Sequence, residues 1–381
     1  MLASSPARRR LGVAAVAVLA CTSALVPSAA SAAPKARAAQ DAGSVSTAPE
    51  VSSVALEAGR QKFGADVTPH QAVSAYWTPE RMRSATPVDE APFMAEAAKR
   101  FEGVEIARQK KAGVDAARGV RPKPQGPELS VPPATNGEVA NAKPAASAAA
   151  FNPNLNYWQP TAYTNGKVFF NMNGGSFVCS AAIVNTEGKD TVWSAGHCIH
   201  GGSGGQWATN WQFVPAYDDD LANPAPYGTW TAAQLWSRTA WTNNSDFTED
   251  MGVAIMNTRL GWHIVDYFGG HGFRANQGKN VFENAMGYPA EWPFDGGNLM
   301  RCWGTSSPEW TVLWITSETI KIPCDLTRGS SGGPWLHGYD GNWGYLNGVN
   351  SRIDRIVGPT IMLSPYFDDT AVSLFNTTRW L

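Results

Sequence analysis

A glycine-rich turn in the C-terminal half of the chain presents a serine in a setting suited to acyl transfer. Residues Gly329–Pro334 read Gly-Ser-Ser-Gly-Gly-Pro. Neighbouring backbone N–H groups can converge on one point in such a turn, because glycine has no Cβ to block the approach. Glycine-rich turns are common, so this turn alone is a weak signal. A nucleophilic serine also needs a base and a group that orients the base.

Two upstream motifs offer those partners. The stretch Ser194–Cys198 places His197 beside a cysteine, and Asp250 immediately precedes an apolar run. An imidazole can take a proton from a serine and return it to a leaving amine, because its unperturbed pKa is about 6.5. A carboxylate can orient that imidazole and stabilise its charged form. The order His, Asp, Ser along the chain is one of the known orders of such a triad.

The three motifs together resemble those of the chymotrypsin/trypsin-like serine peptidases, most closely their secreted bacterial branch, over residues 151–381. The resemblance implies that Ser331 is the nucleophile, His197 the general base and Asp250 the orienting carboxylate. It implies that the backbone N–H groups of Gly329 and Ser331 form the oxyanion hole. It also implies an all-β fold of two antiparallel β-barrels and a hydrolase that acts on proteins or peptides without a cofactor.

Several neighbouring residues compete for these roles or depart from the family pattern. His200 lies three residues after His197 but lacks the motif, and Asp246 and Glu249 lie in an Asn/Ser/Thr-rich stretch typical of solvated turns. Ser330 stands where trypsin-like zymogens commonly carry an aspartate. Because serine has no charge, we expect activation to work by unblocking or folding and not by an internal ion pair at this position.

Substrate preference depends on residues near the nucleophile. Asp325 lies six residues before Ser331, where the resemblance places the carboxylate that selects basic side chains, although Arg328 in the same loop is a possible ion-pair partner. The stretch Gly348–Ser351 resembles the strand that pairs with the substrate backbone, which makes Ser351 a candidate substrate-binding residue. It lacks the histidine of glutamate-specific relatives. Two substrate preferences therefore stay open: cleavage after basic residues, and an apolar or broad preference.

Four cysteines lie in the C-terminal part of the chain, in addition to Cys21. An even number in an exported chain suggests two disulfides, for which three pairings exist. The family resemblance favours the pair Cys179–Cys198, and the pair Cys302–Cys324 would then clamp a strand to the nucleophile loop. A zinc site is the alternative, but no short Cys-x-x-Cys pair is present.

The first residues read as an export signal. Arg8–Arg10 precede an apolar run at Leu11–Val26, and Ala30–Ala32 is one possible cleavage site, so residues 1–33 are predicted to be a signal peptide of a secreted protein. The run is too short for a convincing membrane span. A lipid-modified Cys21 is the alternative.

Residues 34–118 are predicted to be a helical or partly disordered propeptide, and residues 119–150 an open linker. Three Thr-Pro pairs, at Thr68, Thr78 and Thr86, each offer an N-cap followed by proline at the first helical position. Later apolar residues form only a weak helical stripe, which needs a partner surface. We expect this surface to belong to the peptidase domain of the same chain; a solvated spacer is the alternative.

Residues 151–381 consist of short apolar runs broken by Gly, Pro and Asn turns, which favours many short strands in a barrel. This part holds 12 Lys+Arg against 19 Asp+Glu, and its net negative charge would repel phosphate, which argues against nucleic-acid binding. The candidate strands are Val168–Asn171, Ser176–Val184, Thr191–Ala195, Gly252–Met256, Val281–Met286, Thr311–Ile315 and Tyr345–Val349, with a candidate closing helix at Ala371–Leu381.

The remaining chemistry-bearing residues give no metal signature. His263, His271 and His337 lack the spacing of metal ligands, and the acidic run Asp218–Asp220 reads more readily as a solvated loop than as a calcium site. The alternative from another functional class is a catalytically silent, peptidase-like binding module. An esterase on the same fold is a third option.

Overall fold

The structure is a computed structural model that describes residues 43–118, 125–138, 159–310, 316–354 and 360–381. The predicted signal peptide, Cys21 and the candidate strand Thr311–Ile315 lie outside the described residues. Within the described part, no helix has both the length and the apolar character that a bilayer crossing requires.

Residues 43–118, which we call the helical module, carry four helices and two short strands. In chain order these are β1 (Ser44–Thr47), α1 (Ser53–Phe63), α2 (Pro69–Tyr76), α3 (Pro79–Ser84), β2 (Thr86–Pro87) and α4 (Pro92–Ala117). A 3₁₀ turn at Val88–Glu90 connects the last two.

Two of the three Thr-Pro pairs start helices as predicted. Thr68 caps α2 in a full capping box with Gln71, and Thr78 caps α3. The prediction for Thr86 was wrong, because Thr86 and Pro87 form the strand β2. Val88, the next residue, is fully buried against the rest of the molecule, so tertiary packing overrides the local helix-start signal.

Residues 159–381, which we call the barrel module, begin with a closed six-stranded antiparallel barrel. Its elements are α5 (Pro160–Thr164), β4 (Asn165–Met172), β5 (Gly175–Ile183), β6 (Thr191–Ser194), β7 (Thr209–Pro215), β8 (Trp230–Arg238), α6 (Thr239–Asn244) and β9 (Gly252–Met256). The ring of hydrogen-bonded neighbours runs β4-β5-β6-β9-β8-β7 and returns to β4.

The second half of the barrel module is built from two sheets that pack together. Its elements are α7 (Ile264–Phe268), β10 (Gly272–Ala275), β11 (Phe282–Gly287), β12 (Met300–Thr305), β13 (Ser307–Trp310), β14 (Thr316–Pro323), β15 (Pro334–His337), β16 (Tyr345–Val349), β17 (Arg352–Asp354), β18 (Ile361–Pro365) and α8 (Asp369–Thr378). The sheet orders are β12-β11-β15-β16-β10 and β13-β14-β18-β17. The predicted all-β, two-barrel architecture is confirmed.

An aromatic cluster joins the two barrels beneath the closing helix. Trp193 on β6 lies 5.1 Å, between ring centroids, from Phe273 on β10, and Phe273 stacks on Phe375 of α8 at 4.2 Å. All three side chains are fully buried. Aromatic packing of this kind fixes the two barrels relative to each other, and the functional side chains described below come from both barrels.

Part of the predicted open linker packs on the barrel module. The strand β3 (Leu129–Val131) pairs antiparallel with β10, and Ala134 bridges to Gly270. Asn276 donates a side-chain hydrogen bond to the carbonyl of Pro127. Leu129–Val131 therefore form an extra edge strand beside β10, within the stretch for which the sequence predicts an open linker.

Candidate active site

The glycine-rich turn holds Ser331 in a backbone conformation that requires its glycines. Gly329 and Gly332 have φ angles of 94° and 79°, which side-chain-bearing residues rarely adopt. A Cβ on Gly332 would lie 2.0 Å from Ser194 Oγ and 2.5 Å from the carbonyl of Ser180. The turn can thus pack directly against β5 and β6, which brings Ser331 beside the first barrel.

Two buried residues fasten this turn from opposite sides. The N–H of Ser180 on β5 donates to the carbonyl of Ser331 at 2.7 Å. Asn350, just after β16, donates from Nδ2 to the carbonyls of Ser330 and Met286, each at 2.9 Å. Trp335 Nε1 in turn donates to Asn350 Oδ1 at 2.9 Å. Asn350 lies in the stretch Gly348–Ser351 that the sequence predicts to be a substrate-pairing strand, but no role was predicted for its side chain.

His197 and Asp250 meet in a buried setting, on turns that follow β6 and precede β9. His197 lies in a 3₁₀ turn after β6, and Asp250 follows a 3₁₀ turn and precedes β9. Asp250 accepts three hydrogen bonds, from the His197 N–H at 2.8 Å, His197 Nδ1 at 2.8 Å and Ser351 Oγ at 2.6 Å. Both His197 and Asp250 are fully buried. This fixes the ring orientation, with the proton on Nδ1 facing the carboxylate.

The disulfide Cys179–Cys198 holds the His197 turn against β5, with a Cα–Cα distance of 6.1 Å. The second disulfide joins Cys302 on β12 to Cys324 after β14, at 5.4 Å. Both pairs are those expected from the sequence. The group Cys179, His197 and Cys198 is compact enough to suggest a metal site, but its two sulfurs are already bonded to each other.

Opposing effects act on the protonation of His197. Burial by itself lowers the pKa of its imidazole, whereas the charge of Asp250, its hydrogen bond and the nearby Asp89 raise it, and the net effect is a raised pKa. Nε2 lies 3.5 Å from Asp89 Oδ1 and makes no hydrogen bond to any described residue. The imidazole is therefore stabilised in its charged form.

The hydroxyl of Ser331 does not bond to His197 among the described residues. It donates instead to the carboxylate of Asp89, with Oγ lying 2.8 and 2.9 Å from the two carboxylate oxygens. The backbone N–H of Gly329 donates to Asp89 Oδ2 at 3.3 Å. Asp89 belongs to the helical module and was not among the site residues predicted from the sequence. No local motif marks it.

The rival residues have structural roles. His200 accepts a hydrogen bond from the N–H of Gly202, and burial lowers its pKa to about 4. Asp246 caps the 3₁₀ turn that precedes Asp250, and Glu249 is paired with Arg238 at 2.8 Å. Among these acids and histidines, the imidazole–carboxylate pair at this site is His197 with Asp250.

The two predicted substrate-binding residues lie in different settings. Ser351 lines a cavity of about 680 Å³ between α4 and the barrel module, together with Arg328, Arg352 and Asp354. Asp325 is exposed and is not part of this lining. Among the described residues, no ion pair joins Asp325 to Arg328, although the sequence had made that pairing an option.

The acidic run Asp218–Asp220 is engaged with protein groups. Asp219 forms an ion pair with Arg83 of α3 at 2.7 Å, and Asp218 accepts a hydrogen bond from the N–H of Asp220. The run therefore helps to seat the helical module on the barrel module.

Comparison with known proteins adds two similar solved structures. No family model matches the chain, and a search of curated proteins returned no match. The chain is 38% identical to a thermostable serine protease, AL20, from an extremophilic microorganism, with a TM-score of 0.53; the match covers 58% of this chain and 98% of AL20. It is also 38% identical to the protease Anisep from Arthrobacter nicotinovorans, with a TM-score of 0.52 and coverage of 57% and 96%.

Proposed function

Because the chain belongs to the chymotrypsin-like serine proteases, we propose that His197, Asp250 and Ser331 form its catalytic triad. In this proposal Ser331 Oγ attacks the substrate carbonyl and forms an acyl-enzyme, which water then hydrolyses. His197 Nε2 takes the serine proton and returns it to the leaving amine.

The observation that carries the proposal is the triple hydrogen bond to Asp250. A buried carboxylate that accepts from His197 Nδ1, from the His197 N–H and from Ser351 Oγ holds the ring in one tautomer. It would also stabilise the imidazolium that forms when the ring takes the serine proton. A structural histidine has no need of such an arrangement.

The oxyanion hole is assigned to the backbone N–H groups of Gly329 and Ser331. Support comes from the contact of the Gly329 N–H with a negatively charged oxygen, Asp89 Oδ2, at 3.3 Å. A donor of this kind is worth about 3 to 4 kcal/mol when negative charge develops on the substrate oxygen.

We further propose that the chain is an exported pre-pro-protein, with a signal peptide at residues 1–33, a propeptide at 34–118 and the peptidase at 151–381. Two disulfides in the barrel module suit an oxidising compartment. Residues 119–150 are proposed as the linker between the propeptide and the peptidase, and within it Leu129–Val131 pair with β10.

We propose Asp325 as the residue that selects basic substrate side chains. Its exposed carboxylate has no ion pair with Arg328 among the described residues and is available to a substrate. The cavity lined by Ser351 carries charges of both signs and so gives no separate preference: Arg328 and Arg352 lie there with Asp89, Glu309 and Asp354, and Arg352 pairs with Glu309 at 3.2 Å.

The test is labelling with a serine-reactive fluorophosphonate after removal of the helical module, compared with Ser331→Ala. We expect labelling at Ser331 and a fall in peptide hydrolysis of about 10⁶-fold in the variant. Ser330→Ala is the matched control, since the Ser330 hydroxyl donates to Thr327 and not into the site. A processed wild-type chain that takes no label would favour the silent binding module.

An unbiased peptide library resolves specificity in the same preparation. Cleavage after Arg and Lys that is lost in Asp325→Asn would support the role of Asp325. If Asp325→Asn cleaves with the same preference as wild type, Asp325 does not select the substrate side chain.

A further inference from the structure

We propose that Asp89 is a built-in carboxylate inhibitor, which keeps the chain latent by occupying the groups that the peptidase needs for attack. This inference rests on the triad proposed above. The occupied site consists of Ser331 Oγ, the Gly329 N–H and the face of His197 that bears Nε2. Its ligand class is a carboxylate, and its occupant is a residue of the same chain.

The first effect is on the nucleophile. A serine attacks when its hydroxyl proton is directed at the general base, but here Ser331 Oγ donates to the Asp89 carboxylate at 2.8 Å. No hydrogen bond joins Ser331 to His197 in the part of the chain that the structure describes. The nucleophile and its base are thus uncoupled.

The second effect is on the oxyanion hole. Asp89 Oδ2 receives the Gly329 N–H, which is the donor that a substrate carbonyl oxygen would need. The carboxylate carries a full negative charge and so resembles the charge of the transition state. A substrate carbonyl must displace it before it can be polarised.

The third effect is on the base. Asp89 Oδ1 lies 3.5 Å from His197 Nε2, and Asp250 lies on the other side of the ring at 2.8 Å from Nδ1. Two carboxylates facing one imidazole favour its protonated form. A protonated His197 cannot accept the Ser331 proton.

Anchors on both sides hold Asp89 in place. Before it, β2 pairs with β5, where Thr86 is opposite Phe177 and Pro87 is opposite Val178. After it, Phe93 of α4 packs edge-to-face on Phe177 at 5.8 Å between ring centroids. The strand β5 also donates the Ser180 N–H to Ser331. One strand therefore positions both the inhibitor and the nucleophile.

The occupant cannot be consumed by the site it blocks. Acyl transfer needs a carbonyl carbon that bears a leaving group, such as the amine of a peptide bond. The Asp89 carboxylate has none, because expulsion of an oxide would be required. Latency would persist until the helical module is cut elsewhere or released.

The experiment measures fluorophosphonate labelling of the intact full chain, resolved on denaturing gels from any processed product. We expect intact wild type to label at least 10²-fold more slowly than processed wild type. Asp89→Ala should raise the labelling rate of the intact chain at least tenfold. Glu90→Gln, which changes the exposed neighbouring acid, should leave the rate as it is.

A thermal melt of each intact variant shows whether it is folded, and Asp89→Asn, which keeps the side-chain shape, replaces Asp89→Ala if the latter does not fold. If processed wild type labels but the folded intact Asp89 variant stays as slow as intact wild type, the inference is wrong. It is also wrong if intact wild type labels as fast as processed wild type. Failure of processed wild type to label would instead refute the proposed triad.

Discussion

The helical module and the barrel module are stabilised by different interactions. In the barrel module, six strands close a ring of hydrogen bonds, two disulfides tie loops to strands, and aromatic residues from both barrels share one core. In the helical module, the large buried side chains pack against the barrel module. They are Val73, Trp77, Met82, Val88, Met94 and Phe101.

Within the helical module, α1 and α2 touch mainly through small residues. A Cβ on Gly59 would lie 2.7 Å from Ala72 Cα, so the two helices approach closely. The buried residues are Ala55 and Gly59 in α1, and Ala72, Val73 and Ala75 in α2. Short helices without a core of their own are marginal in water. We therefore expect the helical module to depend on docking for its order, whereas the barrel module has a closed ring of strands and two disulfides of its own.

The largest effect should come from Asp250, whose role lies entirely within the barrel module. Asp250→Asn should lower kcat of the freed enzyme about 10⁴-fold, because an amide no longer fixes the tautomer of His197. Steady-state hydrolysis of a peptide substrate measures it. The control is Asp246→Asn, which keeps a capping side chain on the 3₁₀ turn before Asp250. Its ion-pair partner Arg108 belongs to α4 and is absent from the freed enzyme. Equal losses in both variants would contradict the assignment of Asp250.

The next largest effect should come from Trp77, whose loss should weaken docking of the helical module without changing the stability of the first barrel. Trp77 is 2% exposed, packs on Phe169 and donates from Nε1 to the carbonyl of Asn210 at 2.8 Å. Trp77→Ala should weaken docking by about 3 to 5 kcal/mol, the cost of truncating a buried tryptophan. Hydrogen exchange in a Ser331→Ala background should then show faster exchange in α2 to α4 and unchanged exchange in β4 to β9.

The matched control is Trp292→Ala, since Trp292 is 88% exposed. It should leave exchange in both modules unchanged. If Trp77→Ala accelerated exchange in the barrel strands as much as in the helices, the two modules would form one cooperative unit and the comparison would fail.

The smallest effect concerns pH. The charged groups facing His197 are Asp250 and Asp89, beside the neutral ring of Trp241. Loss of the Asp89 charge in Asp89→Asn should lower the pKa of His197 in the intact chain, because Asp89 contributes to the raised value. Because His197 acts as a base only when it is deprotonated, the acidic limb of the pH profile of the labelling rate should move to lower pH.

Protonation of His197 is also coupled to docking of the helical module. A histidine whose pKa is raised by the docked module stabilises docking at pH values below its undocked pKa, and this contribution is lost as pH rises through the docked pKa. NMR titration of His197 in the intact Ser331→Ala chain, with and without Asp89→Asn, measures the shift. A pKa that does not move would mean that Asp89 does not act on the base.

Local sequence patterns predicted the strands whose faces are both buried. The strands Gly252–Met256 and Tyr345–Val349 have the predicted bounds, because each is a short apolar run between turn residues. The strand Trp230–Arg238 was missed, since its Ala-Ala-Gln centre has little strand propensity. Its order comes from pairing with three other strands.

The predicted triad residues were accessible to sequence reasoning because each sits in a short motif. Asp89 was not, because it meets Ser331 across 242 residues and lies in an ordinary acidic pair before a helix. Asn350 was quoted without a role, since its amide contacts depend on where the nucleophile turn folds. Contacts between residues so far apart in the chain leave no local motif or periodic pattern, so a single sequence cannot predict them.

The short strand β1 has a consequence for how the freed enzyme would behave in concentrated solution. Ser44–Thr47 covers the outer edge of β8 at Leu235–Arg238, residue against residue. Uncovered sheet edges present unpaired N–H and C=O groups that recruit strands from other molecules. Departure of β1 would expose these groups on β8, so the freed enzyme should self-associate more readily than the intact chain.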